Sequence, residues 1–258
     1  MTLLNEHIEY DDNGQIRERY SLQDDKLEGE VVSYDEQGRM MQTAHFKEGK
    51  LDGEMIVYGD GEQVIQKAHY KNDELHGETI LYDENGWMVQ RANFKEGNLD
   101  GETLLYAGEK VQTKITYKDG KQEGESISYD ESGQIIGITQ YKDGKLNGES
   151  TWYDREGRLL RKTYYVDNKL EGEVLEYYES GRVREKAQYK NNLLDGEVVG
   201  YYENGNIKEK RYYKDGKQYG NPVEYDEKGR IKTKNTKEGK PKKESRFRKF
   251  IKTLRGGG

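Results

Sequence analysis

The stretch from Tyr141 to Leu160, YKDGKLNGESTWYDREGRLL, contains the pattern that organises the whole chain. A Gly-Glu pair marks each copy of the pattern, and the spacing of these pairs is 24 residues, with one step of 23. The glycines of the pairs stand at Gly29, Gly53, Gly77, Gly101, Gly124, Gly148, Gly172 and Gly196. A fixed period of this length is typical of repeat proteins. We therefore predict an array of about nine to ten units over residues 1–231.

Each unit contains two stretches with strand-like alternation, joined by turn residues. After Gly29, the residues Glu30, Val32 and Tyr34 alternate and would share one face of a strand. The turn YDEQG follows, and a second run leads to Phe46. The sequence thus predicts an all-β fold, an elongated antiparallel meander of β-hairpin repeats. We expect the side chains of Val32 and Tyr34 to point inward, on the same face of the sheet as Phe46. An open trough and a closed solenoid both fit this pattern.

Composition limits the class of protein. Only 31% of the residues are hydrophobic and 36% are charged, which is too little apolar mass for one large core. The chain has no cysteine, which excludes disulfides and thiol chemistry. No apolar run approaches the length of about 20 residues that a membrane-spanning helix needs. We expect a soluble, cytoplasmic protein.

The repeated residues do not form a recognisable catalytic pattern. The glutamate recurs in every unit, whereas a catalytic pair needs two carboxylates in contrasting environments. We interpret it as structural, bonded to a turn or to a neighbouring Tyr or Lys. His45 and His69 occupy equivalent places in adjacent units, but no third strong metal ligand accompanies them. We predict no enzyme activity and no catalytic, cofactor-binding or metal-binding residues.

Two tryptophans depart from the repeat and are candidate partner-binding residues. Trp87 stands beside a turn, where other units have Gln, Arg, Asn or Lys. Trp152 lies on the strand face opposite Glu149 and Tyr153. Tryptophan is enriched in the residues that dominate binding energy at protein interfaces. The alternative is that each ring fills a local gap or covers a patch of small residues.

The C-terminal segment has the opposite charge to the array. Residues 230–258 hold 12 Lys or Arg and 2 Asp or Glu, whereas the preceding residues hold 31 basic and 48 acidic side chains. We separate residues 232–258 as a basic tail, with a short amphipathic helix predicted around 245–255. Its predicted binding face comprises Arg246, Phe247, Arg248, Lys249, Phe250, Ile251, Lys252, Leu254 and Arg255.

This tail has three candidate binding surfaces: the last hairpin of its own array, an anionic membrane, or a groove on a partner. The acidic array itself favours a basic protein partner and disfavours nucleic acid.

The strings YDENG and YKDGKLNGE resemble the MORN-repeat variant family, and the resemblance covers most of the chain. It implies an elongated, non-catalytic repeat protein without a cofactor. Bacterial members are often labelled antitoxins or immunity proteins, and eukaryotic relatives are associated with membranes or scaffolding. The chain lacks the Y-x-G-x-W core of the eukaryotic repeat. The labels of the bacterial members imply a protein-binding scaffold that occludes a toxin or effector. The alternative is a peripheral membrane scaffold anchored by its tail.

Overall fold

A computed structural model describes residues 5–232, which form a single antiparallel sheet of twenty strands. The strands are β1 (Asn5–Tyr10), β2 (Ile16–Gln23), β3 (Lys26–Leu27), β4 (Gly29–Tyr34), β5 (Met40–Lys47), β6 (Lys50–Tyr58), β7 (Val64–Lys71), β8 (Glu74–Tyr82), β9 (Met88–Lys95), β10 (Asn98–Ala107), β11 (Lys110–Lys118), β12 (Lys121–Tyr129), β13 (Ile135–Lys142), β14 (Lys145–Tyr153), β15 (Leu159–Val166), β16 (Lys169–Tyr177), β17 (Val183–Lys190), β18 (Leu193–Tyr201), β19 (Ile207–Lys214) and β20 (Lys217–Glu224). The predicted all-β array of hairpin repeats is confirmed.

The sheet is a meander in which each strand pairs with the strands beside it in sequence. Pairing runs from β1–β2 to β19–β20, and β2 pairs with both β3 and β4. Within residues 5–232, β1 does not pair with β20, so the described strand ladder is open. No helix in this part of the chain is long and apolar enough to cross a membrane. The helix predicted around 245–255 lies outside the described residues.

Two kinds of connection alternate along the sheet. Tight two-residue turns such as Glu48-Gly49 have positive φ at both residues, the geometry of a type I′ hairpin. Longer connections such as Asp35 to Arg39 are closed by the Asp35 carboxylate, whose Oδ1 accepts the N–H groups of Gln37 and Arg39 at 2.9 and 2.8 Å. Strands alternate in direction, so the tight turns line one edge of the sheet and the longer loops line the other. We call these the turn edge and the loop edge.

The tight turns stack on one another through backbone and side-chain hydrogen bonds. The N–H of Asn192 donates to the carbonyl of Leu170 at 3.0 Å, and the N–H of Leu170 donates to Oδ1 of Asn192 at 2.7 Å. Equivalent backbone bonds join Gly49 to Leu27 and Gly97 to Leu75, at 2.8 and 2.9 Å. Each unit therefore fixes the position of the next, as expected when a single hairpin is marginally stable in water.

The buried face of the sheet is formed by small residues, and our assignment of the inward face was wrong for the first strand of each unit. Val31 pairs with Ala44, and Val174 pairs with Ala187; all four are buried. Equivalent buried residues are Ala68, Thr79, Ala92, Thr103, Ser150, Thr163 and Val198. On the opposite, outer face, Val32 is buried, but the equivalent Ile56, Ile80, Leu104, Ile127 and Leu175 are only partly buried.

A β-bulge explains this error. Ser33 pairs with Gln42 and Tyr34 pairs with Met40, so Met41 is an extra residue without a partner on β4. An extra residue shifts the alternation by one place. The inner face of β5 therefore continues into Val31 and Ser33 on β4, and not into Val32 and Tyr34.

The largest hydrophobic cluster lies in the C-terminal units. Tyr165, Leu170, Val174, Ala187, Tyr189 and Val198 form it, and Leu146, Trp152, Leu194 and Tyr213 pack against it. Beside it, Glu185 accepts a hydrogen bond from Arg211 at 2.9 Å, and burial raises the pKa of the Glu185 carboxyl despite that cation. The inner face thus changes from small side chains to large aromatic and charged ones toward β19.

Acid is expected to destabilise the loops closed by aspartate. Hydrogen bonds lower the pKa of Asp130, chiefly through the hydroxyl of Ser132, and of Asp226, chiefly through the backbone N–H of Arg230. A carboxyl whose pKa is lowered by folding stabilises the fold above its unfolded pKa, and this stability is lost as the pH falls through the folded pKa. We expect the melting temperature to fall below about pH 4, and to fall less in a D130N/D226N variant. Thermal melts from pH 7 to pH 3 measure this, with E131Q/E227Q, in the same loops, as the control. An unchanged pH profile in the aspartate variant would contradict the prediction.

Candidate protein-interaction surface

Several exposed apolar residues of the inner units lie along the loop edge. Each unit carries the bulge described for Met41, directly after the loop, and the extra residue of each bulge has no cross-strand partner on the preceding strand. We call these residues the bulge row. In order along the array they are Arg17, Met41, Ile65, Val89, Gln112, Ile136, Leu160, Arg184 and Lys208.

The middle of the bulge row is apolar and partly open to solvent. Met41 is 50% exposed, Val89 38% and Leu160 41%, and Ile65 and Ile136 are partly buried. Two strand spacings of about 4.8 Å separate successive members, so the row repeats about every 9.6 Å. The row is therefore a periodic line of mostly aliphatic side chains, interrupted by Gln112, in which Met41, Val89 and Leu160 are exposed. Exposed apolar residues grouped on one surface are typical of an interaction site.

The loops beside this apolar row are strongly acidic. The first six, at 11–15, 35–39, 59–63, 83–87, 108–109 and 130–134, hold 11 Asp or Glu and a single Arg. Neighbouring loops are bonded to one another, for example through the Arg39 guanidinium and the Asp60 carbonyl, and through Lys110 Nζ and the Glu131 carbonyl. The lowered pKa of Asp130 keeps its carboxylate charged into the acidic range. The loop edge therefore combines fixed negative charge with exposed apolar groups.

This combination ends in the C-terminal units. The bulge row continues there with Arg184, which contacts the Glu176 carboxylate, and with Lys208, whose Nζ lies 5.8 Å from the centre of the Tyr202 ring. Lys232 Nζ also donates to the Tyr202 hydroxyl at 3.2 Å. The last four loops hold 6 acidic and 5 basic residues. The loop edge is thus acidic and apolar over its first six units and mixed in charge beyond them.

The outer face, by contrast, is largely neutralised by ion pairs. The recurrent glutamates pair with a cation on the next strand, as in Glu78–Arg91 and Glu197–Lys210, both at 2.9 Å. The same arrangement joins Glu102 to Lys114, Glu149 to Lys162 and Glu173 to Lys186. The hydrogen bond to Glu102 raises the pKa of Lys114. For the units with Lys114, Lys162, Lys186 and Lys210, the predicted bond between the glutamate and a neighbouring Lys is confirmed.

The two histidines that we considered as metal ligands pack against glycines. A Cβ atom placed on Gly53 would lie 2.9 Å from Cβ of His45, and one placed on Gly77 would lie 3.5 Å from Cβ of His69. Asn93, Gln140 and Gln188 occupy the equivalent place against Gly101, Gly148 and Gly196. Among residues 5–232, no three His, Asp or Glu side chains converge as metal ligands would.

The two predicted tryptophans occupy different environments. Trp87 ends the loop at 83–87 and is 45% exposed. It is followed by Met88 and then by Val89 of the bulge row. Trp152 is partly buried, packs against the hydrophobic cluster and lies 3.5 Å from the place of a Cβ on Gly137, with the Arg161 guanidinium 6.0 Å from its ring. Trp87 is therefore available to a partner on the loop edge, and Trp152 covers a glycine within the sheet. The tail residues of the predicted binding face, from Arg246 to Arg255, lie outside the described residues.

The bulge row was not found by sequence reasoning, although a signal for it exists. Two consecutive apolar residues follow the loop in five units: Met40-Met41, Val64-Ile65, Met88-Val89, Ile135-Ile136 and Leu159-Leu160. Strict alternation allows only one of two neighbours to be buried. Such a doublet therefore indicates a bulge or an exposed apolar residue, and here it indicates both.

The repeat units match a known family. A sequence model described as "MORN repeat variant" matches residues 27–48, 75–96, 122–143, 146–167, 170–191 and 194–215, together just over half of the chain. No curated protein matches this sequence.

Solved structures give only remote similarities. The Tc holotoxin pore of Photorhabdus luminescens is 12% identical, with a TM-score of 0.24, covering 85% of this chain and 14% of that chain. The TcdB2–TccC3 crystal structure is 13% identical, with a TM-score of 0.17, covering 88% and 17%. This chain thus spans a small part of either protein, and TM-scores of this size do not indicate a shared overall fold.

Proposed function

We propose that this chain, which belongs to the MORN repeat variant family, is a non-enzymatic scaffold that binds a protein partner and occludes it. The resemblance of its repeats to proteins labelled antitoxins or immunity proteins makes a toxin or effector the favoured partner. We place this activity in the cytoplasm. The repeat array supplies a long, stable frame, and its side chains are engaged in stacking, ion pairs and turn closure.

The observation that carries this proposal is the exposed apolar row beside acidic loops. Protein interfaces combine a desolvated apolar centre with a polar rim, and fixed charge accelerates the encounter with an oppositely charged protein. On the loop edge, Met41, Trp87 and Val89 supply the apolar centre, and the loops around 60 and 84 supply the rim.

Capture of partners by the full chain tests the proposal. The chain is immobilised and exposed to a lysate of its source organism, and bound proteins are identified by mass spectrometry. We expect one protein at near-stoichiometric amount, which then binds the purified chain in titration and loses its own activity in the complex. Failure of every enriched protein to bind in purified form would contradict the scaffold function.

A second candidate function is peripheral attachment to a membrane, and a sequence observation favours it. The tail carries Phe247, Phe250, Ile251 and Leu254 at helical spacing among many Lys and Arg, the composition of a helix that lies on anionic lipid. Co-sedimentation with phosphatidylserine vesicles tests this function. We expect binding by the full chain and its loss after deletion of 241–258. Equal sedimentation of the shortened chain would show that the tail is not the anchor.

A further inference from the structure

We propose that the first six units of the loop edge form a docking site for a basic amphipathic helix of the partner. This inference rests on the proposed scaffold function and specifies the chemistry of the partner segment. The bulge row from Met41 to Ile136 supplies the apolar contacts, and the loops from 11–15 to 130–134 supply the acidic ones.

The charge distribution selects a basic partner for this surface. The first six loops hold 11 carboxylates and one Arg, which is already bonded to Asp35 and to the Asp60 carbonyl. Lys110, which flanks the loop at 108–109, is likewise bonded to the Glu131 carbonyl. On the outer face, by contrast, most glutamates with a neighbouring cation are paired with it. Unbalanced negative charge is therefore concentrated at the loop edge, where it would attract and orient Lys and Arg.

The spacing of the row selects a helix. A helix lying lengthwise returns a side chain to the same face every seven residues, or about 10.5 Å, close to the row's period of about 9.6 Å. Apolar side chains of the helix at this spacing would contact successive members of the bulge row, such as Ile65 and Val89. Because the two periods differ by about 1 Å, the contacts lose register after a few steps. Two or three heptads are therefore the expected length of the bound segment.

The charge of the loop edge also defines where the docking site ends. Beyond Ile136 the loops become mixed in charge, and beyond Leu160 the row continues with Arg184 and Lys208. The net charge of the loops there is close to zero, so a basic helix would gain little attraction. Trp87, next to Met88 and Val89, lies inside the acidic part and is positioned to contact the bound helix.

The test uses the full chain and a synthetic peptide with the sequence of residues 241–258, which has the required composition. Its apolar residues Phe247 and Leu254 are seven apart and are surrounded by Lys and Arg. Binding of the dye-labelled peptide is followed by fluorescence anisotropy at 50 and 150 mM salt, concentrations chosen to separate charge from apolar contact. A control peptide has serine at positions 247, 250, 251 and 254.

Variants of the row locate the site. We expect M41S/V89S to weaken peptide binding about tenfold, because two apolar contacts are lost. The matched control is V166S/L193S, which removes equally exposed residues, 41% and 43%, from the turn edge. We expect this control to change affinity less than about twofold.

The outcomes separate this inference from the proposed function. A selective loss of peptide affinity in M41S/V89S supports the docking site. Tighter peptide binding by a chain whose own Phe247 and Phe250 are replaced by serine also supports it, since the tail of that chain no longer competes with the peptide. No binding even by the chain with Phe247 and Phe250 replaced, equal binding of the serine peptide, or equal loss in both variants overturns the site. A captured partner whose affinity is unchanged by M41S/V89S would also overturn it and leave the scaffold function intact.

Discussion

Replacement of Leu170 by alanine is expected to lower the free energy of unfolding of the C-terminal units by about 2–5 kcal/mol. The Leu170 side chain is 4% exposed and belongs to the cluster with Tyr165, Val174 and Tyr189. Its removal leaves a cavity that the surrounding strands cannot close, since their positions are fixed by the stacked turns on either side. The two hydrogen bonds that join Leu170 to Asn192 involve only the backbone of Leu170, so they are retained in the variant.

Leu193 provides a matched control for this prediction. It is the same residue type at the start of β18, one unit further along the array, but it is 43% exposed. We expect L193A to change stability by less than about 0.5 kcal/mol. Hydrogen exchange measures the effect locally, because a repeat array need not unfold in one step. Equal protection of residues 146–213 in both variants would show that the cluster does not stabilise these units.

The repeat period was sufficient to predict the meander, because one hairpin per unit is the simplest structure that places Gly-Glu and the turn residues at a fixed interval. The face assignment was wrong because it assumed uninterrupted alternation from Tyr34 through the loop to Met40. The bulge at Met41 breaks that alternation, and no single residue type marks it. The small Val31 looked like an outer-surface residue, but it pairs with the inward Ala44 and is buried, since small side chains allow the densest packing of successive hairpins.

The candidate site followed less directly from the sequence. Trp87 was identified from its departure from the repeat, and the structure places it on the loop edge beside Val89. Met41 and Val89 received no role from the sequence, because a single exposed apolar residue in a strand is common. Their exposure depends on the register of the bulge. The acidity of the loops was visible only as a net charge until the fold aligned them on one edge.

The second large effect is expected at the glycine of the Gly-Glu pair, and it should differ between units. Gly196 has φ +130°, and a Cβ there would lie 2.8 Å from Cβ of Gln188. We expect G196A to destabilise its unit by about 3 kcal/mol, because backbone strain of about 1–3 kcal/mol adds to overpacking of similar size. A Cβ at Gly172, with φ +70°, would have no such neighbour within 4 Å. We expect G172A to cost about 1 kcal/mol, the strain of a left-handed residue alone.

The double variant Q188G/G196A distinguishes two reasons for the repeated glycine. If positive φ were the whole reason, G196A would still cost more than G172A, because φ +130° lies farther from the left-handed region than φ +70°, but removal of the opposing side chain would recover nothing. If close approach of the preceding strand decides the cost, G196A is much more destabilising, and the double variant Q188G/G196A recovers part of the loss by removing the opposing side chain. Urea denaturation of the four proteins measures the difference. Rescue by Q188G would show that His45, Asn93 and Gln188 occupy this row because they pack on the glycine of the next strand.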